Sequence, residues 1–177
     1  MTTDSLSFPE AIAATQYLME QITVNQLDEI TIEQKISTIV NSKTGARGFF
    51  VAYLTSEIPL ADFPSVGVIN GLKSANDLVT ELLVKNLAMS SAMTITHTLN
   101  NDIDNLEGSR KVSQRTSNLI KHLQLHSLTE ELQKLESTIV TGNGDYKDFL
   151  TQWNYDPQQQ QEILKAIANT LKSQNDL

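Results

Sequence analysis

Leu82-Leu83-Val84-Lys85-Asn86-Leu87-Ala88-Met89 is the centre of a 25-residue stretch, Ala75 to Leu99, that contains neither Gly nor Pro. Leu78, Leu82, Leu83, Leu87, Ser91 and Ile95 recur along it in steps of four, with Leu82 and Leu83 adjacent, which fits the three-to-four spacing of one buried helix face. At 1.5 Å per residue such a helix spans about 37 Å, long enough to serve as the spine of a helical domain. The stretch therefore predicts architecture: an all-α, single-domain bundle over 1–177, packed around a long central helix at about 75–99.

Composition sets the outer bounds. The chain has 177 residues, enough for one domain with a substantial core. Charged residues make up 19%, below the usual share, and Gln, Asn, Ser and Thr fill the difference, which predicts a neutral-polar surface. The net charge is −8. Phosphate repels such a chain, so neither nucleic acid nor an anionic membrane is an expected partner. Without cysteine there is no disulfide, thiolate metal site or cysteine nucleophile. Met1 to Ser7 has no basic or apolar leader pattern, and no run of about 18 apolar residues predicts a bilayer span. The expected location is the cytoplasm.

Capping signals divide the rest into helices. Ser7-Phe8-Pro9-Glu10 reads as a capping box with Pro in the first turn. Thr31-Ile32-Glu33-Gln34 reads as a second box, followed by Ile32, Ile36, Ile39 and Val40 on one face. Ser127-Leu128-Thr129-Glu130 reads as a third, followed by Leu128, Leu132, Leu135 and Ile139. A further helix runs from Asp102 or Ser109 to Leu125. Gly142 stops the helix before it. Asp145 to Trp153 is a short helix, and Asp156-Pro157 caps the last one. Residues 48–54, Gly-Phe-Phe-Val-Ala-Tyr-Leu, favour a strand by propensity. A lone strand cannot satisfy its backbone, so a short buried helix is preferred. Ser56 to Pro64 reads as a loop that lays Ile58, Leu60 and Phe63 on the core.

The chemistry is sparse. Thr44-Gly45-Ala46-Arg47-Gly48 reads as a Gly-bracketed turn with one Arg, without the lysine and spacing of a P-loop. Residues 1–33 hold six acids and no base, whereas 108–129 hold Arg110, Lys111, Arg115 and Lys121 and no acid. Lys111, Arg115, Asn118 and His122 share a helix face that suits a phosphate or carboxylate, the Arg fork above all. A solvated face, or one that docks the acidic N-terminal segment, fits the same pattern. His122 and His126, four apart, lack a carboxylate at metal-site spacing, so no metal is assigned. No Gly-x-Ser-x-Gly elbow is present, and no catalytic residue or cofactor is assigned. Ser90 and Ser91, with Ala88 and Ala92, read as close-packing positions. Phe149, Trp153 and Tyr155 read either as core or as a partner's anchor.

The runs Thr44-Gly45-Ala46-Arg47-Gly48-Phe49-Phe50-Val51, Leu54-Thr55 and Glu81-Leu82-Leu83-Val84-Lys85-Asn86-Leu87-Ala88-Met89-Ser90 resemble an uncharacterised family of small cyanobacterial proteins. The resemblance covers the middle third of the chain. It implies a cytoplasmic setting in a photosynthetic bacterium, and it transfers no activity and no functional residue.

Two functional expectations follow. The first is a non-enzymatic interaction or regulatory protein, with a protein partner or a homo-oligomer. The second is a sensor or enzyme that binds an anionic metabolite through Arg47, Arg110, Lys111, Arg115 and His122.

Overall fold

The computed structural model describes residues 5–172. Among them are nine α-helices and no strand: α1 (Phe8–Thr23), α2 (Glu29–Ile39), α3 (Lys43–Thr55), α4 (Val66–Lys73), α5 (Asn76–Leu99), α6 (Ile103–Leu123), α7 (His126–Thr141), α8 (Lys147–Trp153) and α9 (Pro157–Lys172). A 3-10 turn covers Pro59–Asp62. The all-α expectation holds. The coordinates group into two compact units, residues 1–82 and 83–177, so the residue range of α5 is shared between them.

The first unit is built on glycine. Segment 44–48 is no turn: Gly45 and Gly48 lie inside α3, whose cap is Ser42. The glycines mark close approach instead. A Cβ on Gly48 would stand 2.5 Å from the Ala11 Cβ, so α1 and α3 touch almost backbone to backbone. A Cβ on Gly71 would meet the Ile36 Cβ at 2.7 Å, which seats α4 on α2 in the same way. Around these contacts Phe49, Phe50, Tyr53 and Leu54 are buried, with Phe49 and Tyr53 stacked at 5.0 Å. The preference for helix over strand at 48–54 is correct, because aromatic residues satisfy a helix as well as a strand once one face is buried.

Other local readings need correction. The Ser7 box is as read, with the Glu10 carboxylate accepting from the Ser7 N–H at 2.8 Å. The second box is placed late: α2 is capped by Asp28, which accepts from the Thr31 N–H at 2.7 Å. Phe63 does not lie on the core but is 84% exposed.

In the second unit, α9 packs on α6 and α7, and α8 folds back on α7. Leu119, Ile120, Leu123, Leu128, Leu132, Leu135, Ile163 and Ile167 form its core. The third expected box is absent: α7 starts at His126 after Leu125, with no side-chain cap, because α6 ends early on a left-handed Gln124. Asp156 and Gln159 exchange cap bonds at α9, at 2.8 and 3.0 Å.

Helix α5 runs unbroken. Its deeper positions include Val79 and Val84, while Leu78, Leu82 and Ile95 are half-buried. A three-to-four stripe finds only one face, whereas the buried residues of α5 occupy more than half its circumference at about 100° per residue. By length and composition α5 is also apolar enough to cross a bilayer. Half of the 18-residue window that meets this criterion is buried inside the protein.

Two outcomes test this packing. Gly48→Leu is expected to destabilise the protein by about 1–3 kcal/mol through overpacking against Ala11, read as a lower urea midpoint. Glu131 accepts from Tyr146 Oη and Lys134 Nζ, each at 2.7 Å. Burial opposes its ionisation, but these bonds and the Lys134 charge outweigh burial and hold the carboxyl below its ordinary 4.5. A depressed carboxylate stabilises the fold above its unfolded value, and that stability is lost as pH falls through the folded value. Glu131→Gln should therefore flatten the acid limb of a stability–pH curve below 4.5.

Candidate functional site

Three helices of the second unit border an open groove of about 570 Å³. From α5 come Leu87, Ser91, Thr94, Ile95 and Thr98. From α6 come Arg110, Ser113, Gln114, Ser117 and Lys121, and from α9 come Glu162, Lys165, Ala166 and Asn169. The α6 residues are spaced 3, 1, 3 and 4 apart, one helix face. Small side chains make the groove. Ser91, Ser113, Ser117 and Ala166 fill little volume, so space remains above the helix contacts.

The floor is tied by hydroxyls. Ser91 Oγ and Ser113 Oγ are 3.0 Å apart, and Ser117 Oγ and Thr170 Oγ1 are 2.8 Å apart. A hydroxyl offers one donor and two acceptor sites, so the half-buried Ser113 and Ser117 keep acceptor capacity beyond these bonds, whereas Thr170 is fully buried and donates to Ala166 O at 2.8 Å. Ser90 instead donates to Asn86 O at 2.6 Å, and Ala88 and Ala92 are fully buried, which agrees with close packing there.

Arg110, Lys121 and Lys165 bring three positive charges to the groove, against one carboxylate, Glu162. Lys165 Nζ and Glu162 Oε1 are 3.8 Å apart, and such a loose surface pair leaves the lysine available to a competing anion. The arrangement is chemically a polar trough with a positive balance, in a chain whose net charge is −8. Among the described residues no group of three or more His, Asp or Glu side chains is placed to hold a metal ion.

Of the five residues singled out from the sequence, Arg110 lines this groove. Lys111, half-buried, lies on the neighbouring face of α6 with Arg115, which is only 4% exposed. His122 is exposed, and its Nδ1 lies 2.8 Å from the Asn118 carbonyl oxygen. Arg47 belongs to the first unit, where its guanidinium sits 5.6 Å over the Phe8 ring. His122 and His126 share no helix face, since α6 ends at Leu123.

Lys121 belonged to the basic block but not to the face read from Lys111. The period starting at Arg110 selects it. Lys165 carries no local signal, because its relation to α6 exists only in the folded chain. The aromatic trio divides: Tyr155 is buried, Phe149 is half-buried between Tyr146 and Tyr155 at 6.3 Å from each, and Trp153 is 47% exposed. Burial pushes the Tyr155 hydroxyl up to about 12.

Residues 7–170 match the family described as "Uncharacterised conserved protein UCP020893", and the chain belongs to that family. Searches of curated proteins and of solved structures found no match.

Proposed function

We propose that this member of an uncharacterised conserved family binds a small anionic, hydroxyl-bearing metabolite in the groove between α5, α6 and α9. The observation that carries the reading is that Arg110, Lys121 and Lys165, from two helices, border one groove together with serine and threonine hydroxyls. The cations attract a phosphate or carboxylate, and Arg110 supplies a planar donor fork. The hydroxyls and the amides of Gln114 and Asn169 suit the neutral polar part of such a ligand. Nothing in the groove supplies a nucleophile with an adjacent base, so binding or sensing is favoured over catalysis. A cyanobacterial setting rests on the resemblance of residues 44–51, 54–55 and 81–90, and a cytoplasmic one on that resemblance together with the sequence patterning of Met1 to Ser7 and of the apolar runs.

A thermal-shift series of phosphorylated sugars, dicarboxylates and their neutral analogues tests this. Ligand at a hundredfold excess over its dissociation constant should stabilise the protein by about 2.7 kcal/mol. The shift should shrink with added salt. It should vanish in Arg110→Glu/Lys121→Glu and persist in Arg47→Ala. The reading fails if only neutral compounds bind or if the double variant binds as before.

A second reading, self-association, has its own observation in the first unit. Glu29 accepts from Ser65 Oγ at 2.8 Å and from the Gly67 N–H, which joins the starts of α2 and α4. Close to that junction in sequence, Ile30, Phe63 and Val66 are 68%, 84% and 67% exposed. If they form one contiguous patch, a second copy of the chain is the covering partner that such a surface suits. Sedimentation velocity should show a dimer that Phe63→Asp/Val66→Asp dissociates. A monomer at every concentration removes this reading.

A further inference from the structure

We infer, taking anion binding in the groove between α5, α6 and α9 as the premise, that its ligand is elongated, with one anionic group at each end and an uncharged polar body between them. Arg110 and Lys121 both border the groove from α6, eleven residues apart. At 1.5 Å per residue they stand about 16 Å apart along the helix axis. Helical side chains lean toward the N-terminus of their helix, so both lean the same way and the lean does not close the gap. A phosphate or carboxylate takes its charged hydrogen bonds at about 2.8 Å, so one such group does not bridge the two.

Three hydrogen bonds place Lys165 at the Arg110 end. A short connection joins α5 to α6, and Ser91 meets Ser113 at 3.0 Å, so the two helices run antiparallel and Thr96 lies beside the start of α6. Gln159 Nε2 donates to Thr96 Oγ1 at 3.0 Å, and Ser117 meets Thr170 at 2.8 Å, so α9 runs in the same direction as α6. Lys165 precedes Thr170 by five residues and Arg110 precedes Ser117 by seven, about 8 and about 10 Å of helix rise. Lys121 lies four residues, about 6 Å, on the other side of Ser117. Arg110 and Lys165 therefore share one end of the groove, and Lys121 marks the other.

The charges at the two ends match. Glu162 belongs with the first end, 3.8 Å from Lys165. Two cations and one carboxylate leave a net charge of +1 there, equal to that of Lys121 at the far end. Ser113, Gln114, Ser117 and Asn169 stand between the ends, all neutral and polar. A charge in the middle of the ligand would find neutral groups there, whereas ether or hydroxyl oxygens find amide and hydroxyl donors. Arg110 and Lys165 are exposed and Lys121 is half-buried, so a solute reaches all three. The groove volume of about 570 Å³ suits one such extended small molecule.

Isothermal titration calorimetry of the full chain at low salt tests the spacing. The probes are the bisphosphate of tetraethylene glycol, the monophosphate of the same glycol, and the bisphosphate of ethylene glycol, which carries two phosphates on a shorter span. The long bisphosphate should bind at least about tenfold more tightly than either of the others, because its second group binds at high effective concentration. Lys121→Gln should bring it down to the affinity of the monophosphate and leave the monophosphate bound. Arg110→Gln/Lys165→Gln, at exposed positions of the opposite end, should also abolish the length preference and serves if Lys121→Gln folds poorly. Equal affinity of the two bisphosphates, or a length preference that survives both variants, overturns the inference. If all three probes bind alike and lose binding in Arg110→Glu/Lys121→Glu, the anion groove stands and only the two-ended ligand is removed. Binding of none of them removes both.

Discussion

How closely two helices approach is set by the smallest residues between them, and in this protein that constraint governs both packing and opportunity for binding. Where Gly48 faces Ala11 and Gly71 faces Ile36, no side chain intervenes and the backbones nearly touch. The large aromatics Phe49, Phe50 and Tyr53 are then buried around these contacts rather than between them. Removing water from such large rings is the main favourable term, and the glycines make the geometry in which it happens. A glycine inside a helix costs backbone entropy, so its presence at α3 and α4 has to be offset by the packing it permits.

The second unit uses small residues differently. Ser91, Ser113 and Ser117 are paired across helices by hydroxyl bonds, and above them the groove stays open. A glycine would have let the helices close, and a leucine would have filled the space. Serine and threonine leave a trough that is polar and open to solvent. Charge then gives the trough its character. The acids of residues 1–33 and the bases of 108–129 belong to different units, so an acidic chain still presents a locally positive surface.

Legibility tracked the range of the interaction. The α5 helix, the Ser7 cap, the Ile32/Ile36/Ile39 face and the Gly142 stop are local, and each could be read from spacing and cap chemistry. The second and third capping boxes misled because a Ser/Thr-x-x-Glu/Gln match is also met inside a helix. At 31–34 the cap had already been made by Asp28, and at 127–130 α7 had already begun. The glycines at 45 and 48 misled for a related reason: glycine permits a turn and equally permits a contact. The candidate site was half legible. Arg110 and Lys121 share a period along one helix, but the face through Lys111 and Arg115 fits the same basic block, and Arg115 proves to be buried.

What the sequence determined alone is the class of structure: helices with apolar stripes, bounded by caps and glycine, with no second strand to pair a first. These depend on backbone hydrogen bonds and side-chain spacing within one turn or two. Only the tertiary structure decided which small residues become contacts and which become space. It alone brought Lys165 to the groove of Arg110 and Lys121, and left the Gln21 amide oxygen buried without a partner. Those outcomes depend on residues far apart in the chain, and no local spacing encodes a distance that exists only after packing.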